Sequence, residues 1–121
     1  LFTIQEHIMD ATIALVTRLE AKPGKAQEVA NLLISGLGDV EEEPGTTAWF
    51  AIRFGVVEFG LFMAFPDEVG RQTHLASKVA AALKDNAHLF EEMPVFETAD
   101  VLAAKLPAGA SQGQGNPTAM R

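Results

Sequence analysis

The chain has 121 residues, enough for one domain around a single core and too few for two comfortable ones. With 48% apolar and 21% charged residues it has globular proportions, which excludes wholesale disorder. Sixteen acidic against nine basic side chains give a net charge of −7, and the cations are scattered, so nucleic acid is not an expected partner; the lack of cysteine excludes disulfides, thiolate catalysis and Cys-type metal centres.

Residues 1–10 carry Phe2, Ile4, Ile8 and Met9 without a clear period and are read as an N-terminal arm. Residues 12–20 (TIALVTRLE) are rich in β-branched and apolar side chains and predict a strand, broken by Pro23 and Gly24. From Lys25 the apolar residues Val29, Leu32, Leu33, Leu37 and Val40 fall at helical spacing. Pro44 and Gly45 end that helix, and the acidic run of Glu41, Glu42 and Glu43 reads as its solvated end.

Residues 46–54 (TTAWFAIRF) and 57–65 (VEFGLFMAF) predict a hairpin with Gly55 and Val56 as a two-residue type II′ turn. Pro66 stops the second strand. Asp67 is the expected N-cap of a helix running to about Asn86. An apolar turn near residues 87–90 then leads past Pro94 to a last strand over residues 95–105. The order strand, helix, strand, strand, helix, strand is the ferredoxin-like α+β arrangement, a four-stranded antiparallel sheet with two helices on one face. The expected domain is 11–106. Residues 107–121, rich in Gly, Ser, Gln, Ala and Pro, are read as a flexible tail.

Both faces of the central strands are apolar. Val57, Phe59, Leu61, Met63 and Phe65 point one way, with Gly60, Phe62 and Ala64 opposite; Phe50, Ile52 and Phe54 oppose Trp49 and Ala51. Helices cover only one face, and monomers rarely leave such a patch wet, so a homodimer packed through the sheet is expected.

Chemistry has few candidates. His74 lies at the edge of the stripe formed by Leu75, Val79 and Leu83, from where it either reaches the end of a cavity or stays half exposed. Arg71 lies one turn earlier. His7 and His88 have no partner at metal-ligand spacing, so no metal site is expected. Trp49, Phe50, Phe54, Phe59, Phe62 and Phe65 concentrate aromatic surface, either as core or as walls for a flat ligand, and Arg53 interrupts them as a possible anion partner. There is no phosphate loop, since Gly36 and Gly38 sit inside a helix, and no nucleophile elbow.

The segments KPGKAQE, EPGTTAWF and FPDEVGRQTHLAS, in this order, resemble the antibiotic biosynthesis monooxygenase family of the dimeric α+β barrel superfamily. The most specific piece is Glu43-Pro44-Gly45-Thr46, followed about thirty residues later by a helix carrying His74-Leu75. The resemblance implies oxygenation of a quinol- or anthrone-like aromatic without flavin, haem or metal. It makes His74 the candidate base and places Trp49, Phe50, Met63 and Phe65 around the substrate, with Arg53 or Arg71 as anion partner. Position 63, often acidic in the family, is Met63, and the first strand has Thr12 and Thr17 in place of asparagine. The Asn, Trp and His set of the haem-degrading branch has no matching placement on this chain, which disfavours haem degradation. A non-catalytic homodimer that binds a small ligand is the alternative. No apolar run reaches the length of a membrane helix and the N-terminus does not read as a signal peptide, so a cytoplasmic location is expected.

Overall fold

The computed structural model describes residues 10–107. The expected arm and tail, with His7, lie outside the described residues except for Asp10 and Pro107. Four strands, β1 (Ile13–Glu20), β2 (Ala48–Arg53), β3 (Glu58–Phe65) and β4 (Glu97–Asp100), form one sheet in the order β2-β3-β1-β4, with every neighbouring pair antiparallel. Three α-helices accompany it: α1 (Ala26–Val40), α2 (Glu68–Leu75) and α3 (Lys78–Asp85). This is the expected ferredoxin-like architecture, and no helix among the described residues is long and apolar enough to cross a membrane.

Local sequence accounts for most boundaries. Gly24 adopts φ 81° after Pro23, and Lys25 N–H donates to Lys22 O at 2.9 Å, the pattern of a type II turn that directs the chain from β1 into α1. At α2, Asp67 is the N-cap, accepting from Gly70 N–H at 3.0 Å. The register then sorts the strands. Leu15, Met63 and Trp49 share the helix side, as do Ile13 with Phe65 and Leu19 with Phe59; the other side carries Val16, Phe62 and Phe50. Leu15, Met63 and Phe65 are completely buried beneath the helices, where they join Val29, Leu33 and Leu83 in one core. Burial of such a side chain contributes about 1.5–3 kcal/mol.

Several expectations are corrected. The helix read as continuous from Asp67 to about Asn86 is two helices, because Ser77 ends one and caps the next, its hydroxyl accepting from Ala80 N–H at 3.4 Å. The hairpin does not use a type II′ turn, which needs a positive φ at Gly55; Gly24 is the one glycine in that region among the described residues. A wider loop over residues 54–57 forms instead, with Phe54 N–H and Gly55 N–H both donating to Glu58 O. The last strand has four residues, not the eleven of 95–105, since only Glu97–Asp100 pair with β1 and Leu102 is fully exposed beyond them. Leu37, assigned to the buried stripe of α1, is 46% exposed.

Among the described residues, no helix covers the other side of the sheet. Phe50 and Phe62 stack there with centroids 6.3 Å apart, and Ile52 and Phe54 are also exposed. The Phe54 ring folds over Gly60, where any Cβ would approach it to 2.9 Å, and Arg18 lies 3.9 Å above the same ring.

Candidate functional site

His74 is the most unusual side chain in the core. It lies in the last turn of α2, is 1% exposed, and packs its ring against Phe65 with centroids 5.7 Å apart. The half-exposed edge position is therefore corrected: His74 is at the centre of the buried face. Its Nδ1 is 2.8 Å from Glu43 Oε1, and the same oxygen accepts from Thr46 Oγ1 at 2.8 Å. An ionised carboxylate only accepts, so Nδ1 carries a proton, and in the neutral form of the ring the lone pair is at Nε2. That Nε2 is buried and has no hydrogen-bond partner among the described residues.

Glu43 is the functional residue the sequence reading missed. Glu41 and Glu42 are exposed, as a solvated run requires, but the Glu43 side chain is only 13% exposed and turns inward. What directs it is a close approach between its loop and α2. A Cβ on Gly70 would come within 2.5 Å of Gly45 O, and a Cβ on Gly45 within 3.1 Å of Gly70 Cα. Two glycines thus seat the Glu43–Thr46 turn against the helix one turn before His74. The signal available in the sequence was the EPGT segment itself, which supplies acceptor, turn and hydroxyl at fixed spacing.

The remaining candidates divide by position. Trp49 and Met63 face each other across β2 and β3 on the helix side, and Phe65 follows Met63 on the same face beneath His74. Trp49 is partly buried; its ring edge lies 3.6 Å from where a Gly36 Cβ would stand, and its Nε1 is buried without a partner among the described residues. An unmet buried polar group costs about 1–3 kcal/mol, so two in one layer mark a place where a ligand would gain. Beside Trp49, between α1 and α3, is a gap of about 40 Å³ bordered by Gly36, Val79 and Leu83.

Phe50 is on the uncovered side and does not meet His74. Arg53 pairs with Phe59, six residues and roughly 20 Å along β3 from Phe65. Its guanidinium donates to Gly55 O and Val56 O and lies over the Phe59 ring, bracing the hairpin. Arg71 pairs with Glu68 in its own helix. The Gln72 amide and then Arg71 hold the exposed Glu68 carboxyl below its ordinary value of 4.5. His88 is exposed. No three His, Asp or Glu side chains come together as metal ligands among the described residues.

A much larger concavity, about 730 Å³, opens on the uncovered face between Phe54, Phe62 and the segment carrying Met93 and Val95. Its polar rim is acidic, with Glu58, Glu91 and Glu97 beside Arg18. It contains none of the His74 group, and no basic side chain in it has the geometry of a general base. The larger concavity and the buried, unpartnered imidazole are therefore separate features of the molecule.

No protein-family model and no curated protein matches the sequence. Among solved structures, a protein of unknown function from Nitrosomonas europaea is 51% identical, with a TM-score of 0.81, covering 84% of this chain and 99% of that chain. A provisionally named antibiotic biosynthesis monooxygenase from Caulobacter crescentus is 18% identical, with a TM-score of 0.67 over 83% of this chain and 98% of that chain. Another, from Chloroflexus aurantiacus, is 12% identical, with a TM-score of 0.63 over 78% of this chain and 97% of that chain. At such identities the last two show a shared fold.

Proposed function

The chain belongs to the family of the Nitrosomonas europaea protein and carries the fold of the antibiotic biosynthesis monooxygenases, and from that premise we propose that it oxygenates a quinol- or anthrone-like aromatic without a cofactor, with His74 as the base. The observation that carries this reading is the His74 imidazole, buried, held by Glu43 through Nδ1 and free at Nε2. A base so placed takes a proton from a phenolic or activated C–H group, and Glu43 stabilises the imidazolium that results. The substrate anion passes one electron to O₂, and the resulting radical and superoxide combine through a new C–O bond. His74 returns its proton to the peroxide. Loss of water leaves one oxygen atom in the product as a carbonyl and reduces the other to water. Phe65, Met63 and Trp49 keep the anion out of water, in an apolar setting that strengthens its electrostatic interactions.

The 40 Å³ gap beside Trp49 is far below the volume of a bound tricyclic aromatic, roughly 300 Å³ or more for a ligand pocket. Binding therefore requires α1 and α3 to part over Trp49. Oxygen uptake against a panel of anthrones and hydroquinones tests the reading, with His74→Ala alongside. Saturable uptake lost in the variant is expected; uptake equal in the two proteins would remove His74 from the chemistry.

The second reading, a homodimer that binds a small ligand without turnover, has its own observation in the 730 Å³ concavity. In both readings a second copy covers Phe50, Phe62 and Ile52, apolar side chains exposed together on one face. Stabilisation by ligand with no product would favour the second.

A further inference from the structure

Small residues border the gap between α1 and α3. Gly36 and Ala82 line it together with Leu33, Leu61, Val79 and Leu83, and the edge of the Trp49 ring closes one side. A Cβ at Gly36 would stand 3.6 Å from the indole and 3.7 Å from Val79, ordinary van der Waals contact, so a methyl group there would take up part of the space without strain. At about 40 Å³ the gap is little larger than the roughly 30 Å³ share of a water molecule in the liquid, which leaves room for a diatomic molecule and none for a ring. Water is a poor occupant, because it needs about two to four polar partners. Ser35 already donates to Leu32 O at 2.7 Å, and Asp39 is open to solvent. Of the lining side chains, only Trp49 has a buried polar atom without a partner among the described residues. The other walls are aliphatic, and small cavities of that kind stay dry and take up xenon.

We propose that this gap is a dioxygen site, which takes O₂ from solvent between α1 and α3 and holds it over the sheet. The gap does not touch His74. It reaches Leu61, whereas the imidazole rests on Phe65, four residues along the same face of β3 and about 13 Å away. Met63 stands between the two, completely buried, and its unbranched side chain is more adaptable than either neighbour. Dioxygen is apolar and has no hydrogen bonds to satisfy, so aliphatic walls suit it where they do not suit water. No bond forms or breaks in the gap. The site takes its purpose from the oxygenase reading, on which it rests, and it separates the two reactants by size: O₂ fits the closed gap, and an aromatic ring needs the helices to part.

Xenon and O₂ themselves are the probes, and the first test needs no substrate. Under xenon pressure the methyl NMR signals of Val79 and Leu83 should shift saturably in the full chain, and Gly36→Ala should lose at least about three-quarters of the response. The chain has a single tryptophan, so fluorescence lifetimes report on Trp49 alone. Their quenching by O₂ should fall at least about twofold in Gly36→Ala, while quenching by acrylamide, too large for the gap, stays the same. Circular dichroism and thermal melting establish the fold, which alanine at this helical position should stabilise. Ala82→Leu fills the gap from α3 and replaces the first variant if that one does not fold. No saturable xenon shift in the wild-type chain, or responses to xenon and O₂ equal in wild type and variants, would overturn the proposal. With an aromatic substrate, Gly36→Ala should raise the KM for O₂ at least about threefold. Lost xenon binding with an unchanged KM for O₂ would also overturn it, since the gap would then have no part in oxygen supply. Gas binding that the variants abolish, with no oxygen uptake from any aromatic, would refute the oxygenase reading and leave the gas site standing.

Discussion

Gly70 and Gly45 meet so closely that a Cβ on Gly70 would lie 2.5 Å from the Gly45 carbonyl oxygen. The contact is backbone to backbone, with no flexible side chain able to give way. Gly70→Ala must push α2 away from the turn that carries Glu43 and Thr46. We expect a destabilisation of about 1–3 kcal/mol by denaturant unfolding, together with loss of the His74-dependent activity. A variant as stable and active as the wild type would mean that the turn does not position Glu43.

Glu43 accepts from both His74 and Thr46 at 2.8 Å. Glu43→Ala leaves the buried His74 Nδ1–H without an acceptor, at a cost of about 1–3 kcal/mol, and frees the half-buried Thr46 hydroxyl. Glu43→Gln retains an acceptor oxygen and should be closer to wild type in stability. Both should turn over substrate at least about tenfold more slowly, because neither supplies a charge to the imidazolium. Oxygen-uptake rates and unfolding curves on the two variants separate the structural effect from the electrostatic one.

Arg53 is committed to the hairpin carbonyls of Gly55 and Val56, at the opposite end of β3 from Phe65. Arg53→Ala should leave ligand affinity within about twofold while loosening the turn, at a cost of about 0.5–1.5 kcal/mol. A large affinity loss measured by calorimetry would return this side chain to the site.

Glu68 provides a pH-dependent element. Its carboxyl is held low by Gln72 first and Arg71 second, so the folded form favours the ionised state. The stabilisation is present above the unfolded value and is lost as pH falls through the lower folded one. An NMR titration of the Glu68 side chain should show a midpoint below 4.5 that moves up in Gln72→Ala and in Arg71→Ala. Because the carboxylate is fully exposed, the effect on overall stability is small.

The uncovered face can be tested by charge. Phe62, 38% exposed, stacks on Phe50 in the middle of that face. Phe62→Glu should give a monomer by sedimentation, with the helix-side core unaltered. A wild-type chain already monomeric at high concentration would contradict the proposed second copy.

Most of the fold was legible because its signals are local. The β-branched and apolar run of β1, the Pro23–Gly24 break and the Asp67 cap each act within a few residues. The site was less so. The edge position of His74 was extrapolated from Leu75, Val79 and Leu83 as though one helix carried all four. The break at Ser77 resets the angular phase, and the stripe of α3 does not project onto α2. Glu43 was hidden for another reason. Its neighbours in sequence are solvated, while its partner is 31 residues away, joined to it by packing that only the fold creates. The last strand was expected in the right place but too long, because all the side chains of β4 are exposed and no buried face marks its ends.

The break at Ser77 also has a mechanical side. The imidazole sits on the segment before it, clamped by the Gly45–Gly70 contact, while the segment after it borders the cleft over the indole. Each segment has its own N-terminal anchor, Asp67 for one and Ser77 for the other. A shared helix axis would have made the wall of the cleft and the seat of the base a single lever, so that opening one displaced the other. With the axis interrupted, the wall of the gap and the seat of the imidazole are anchored separately.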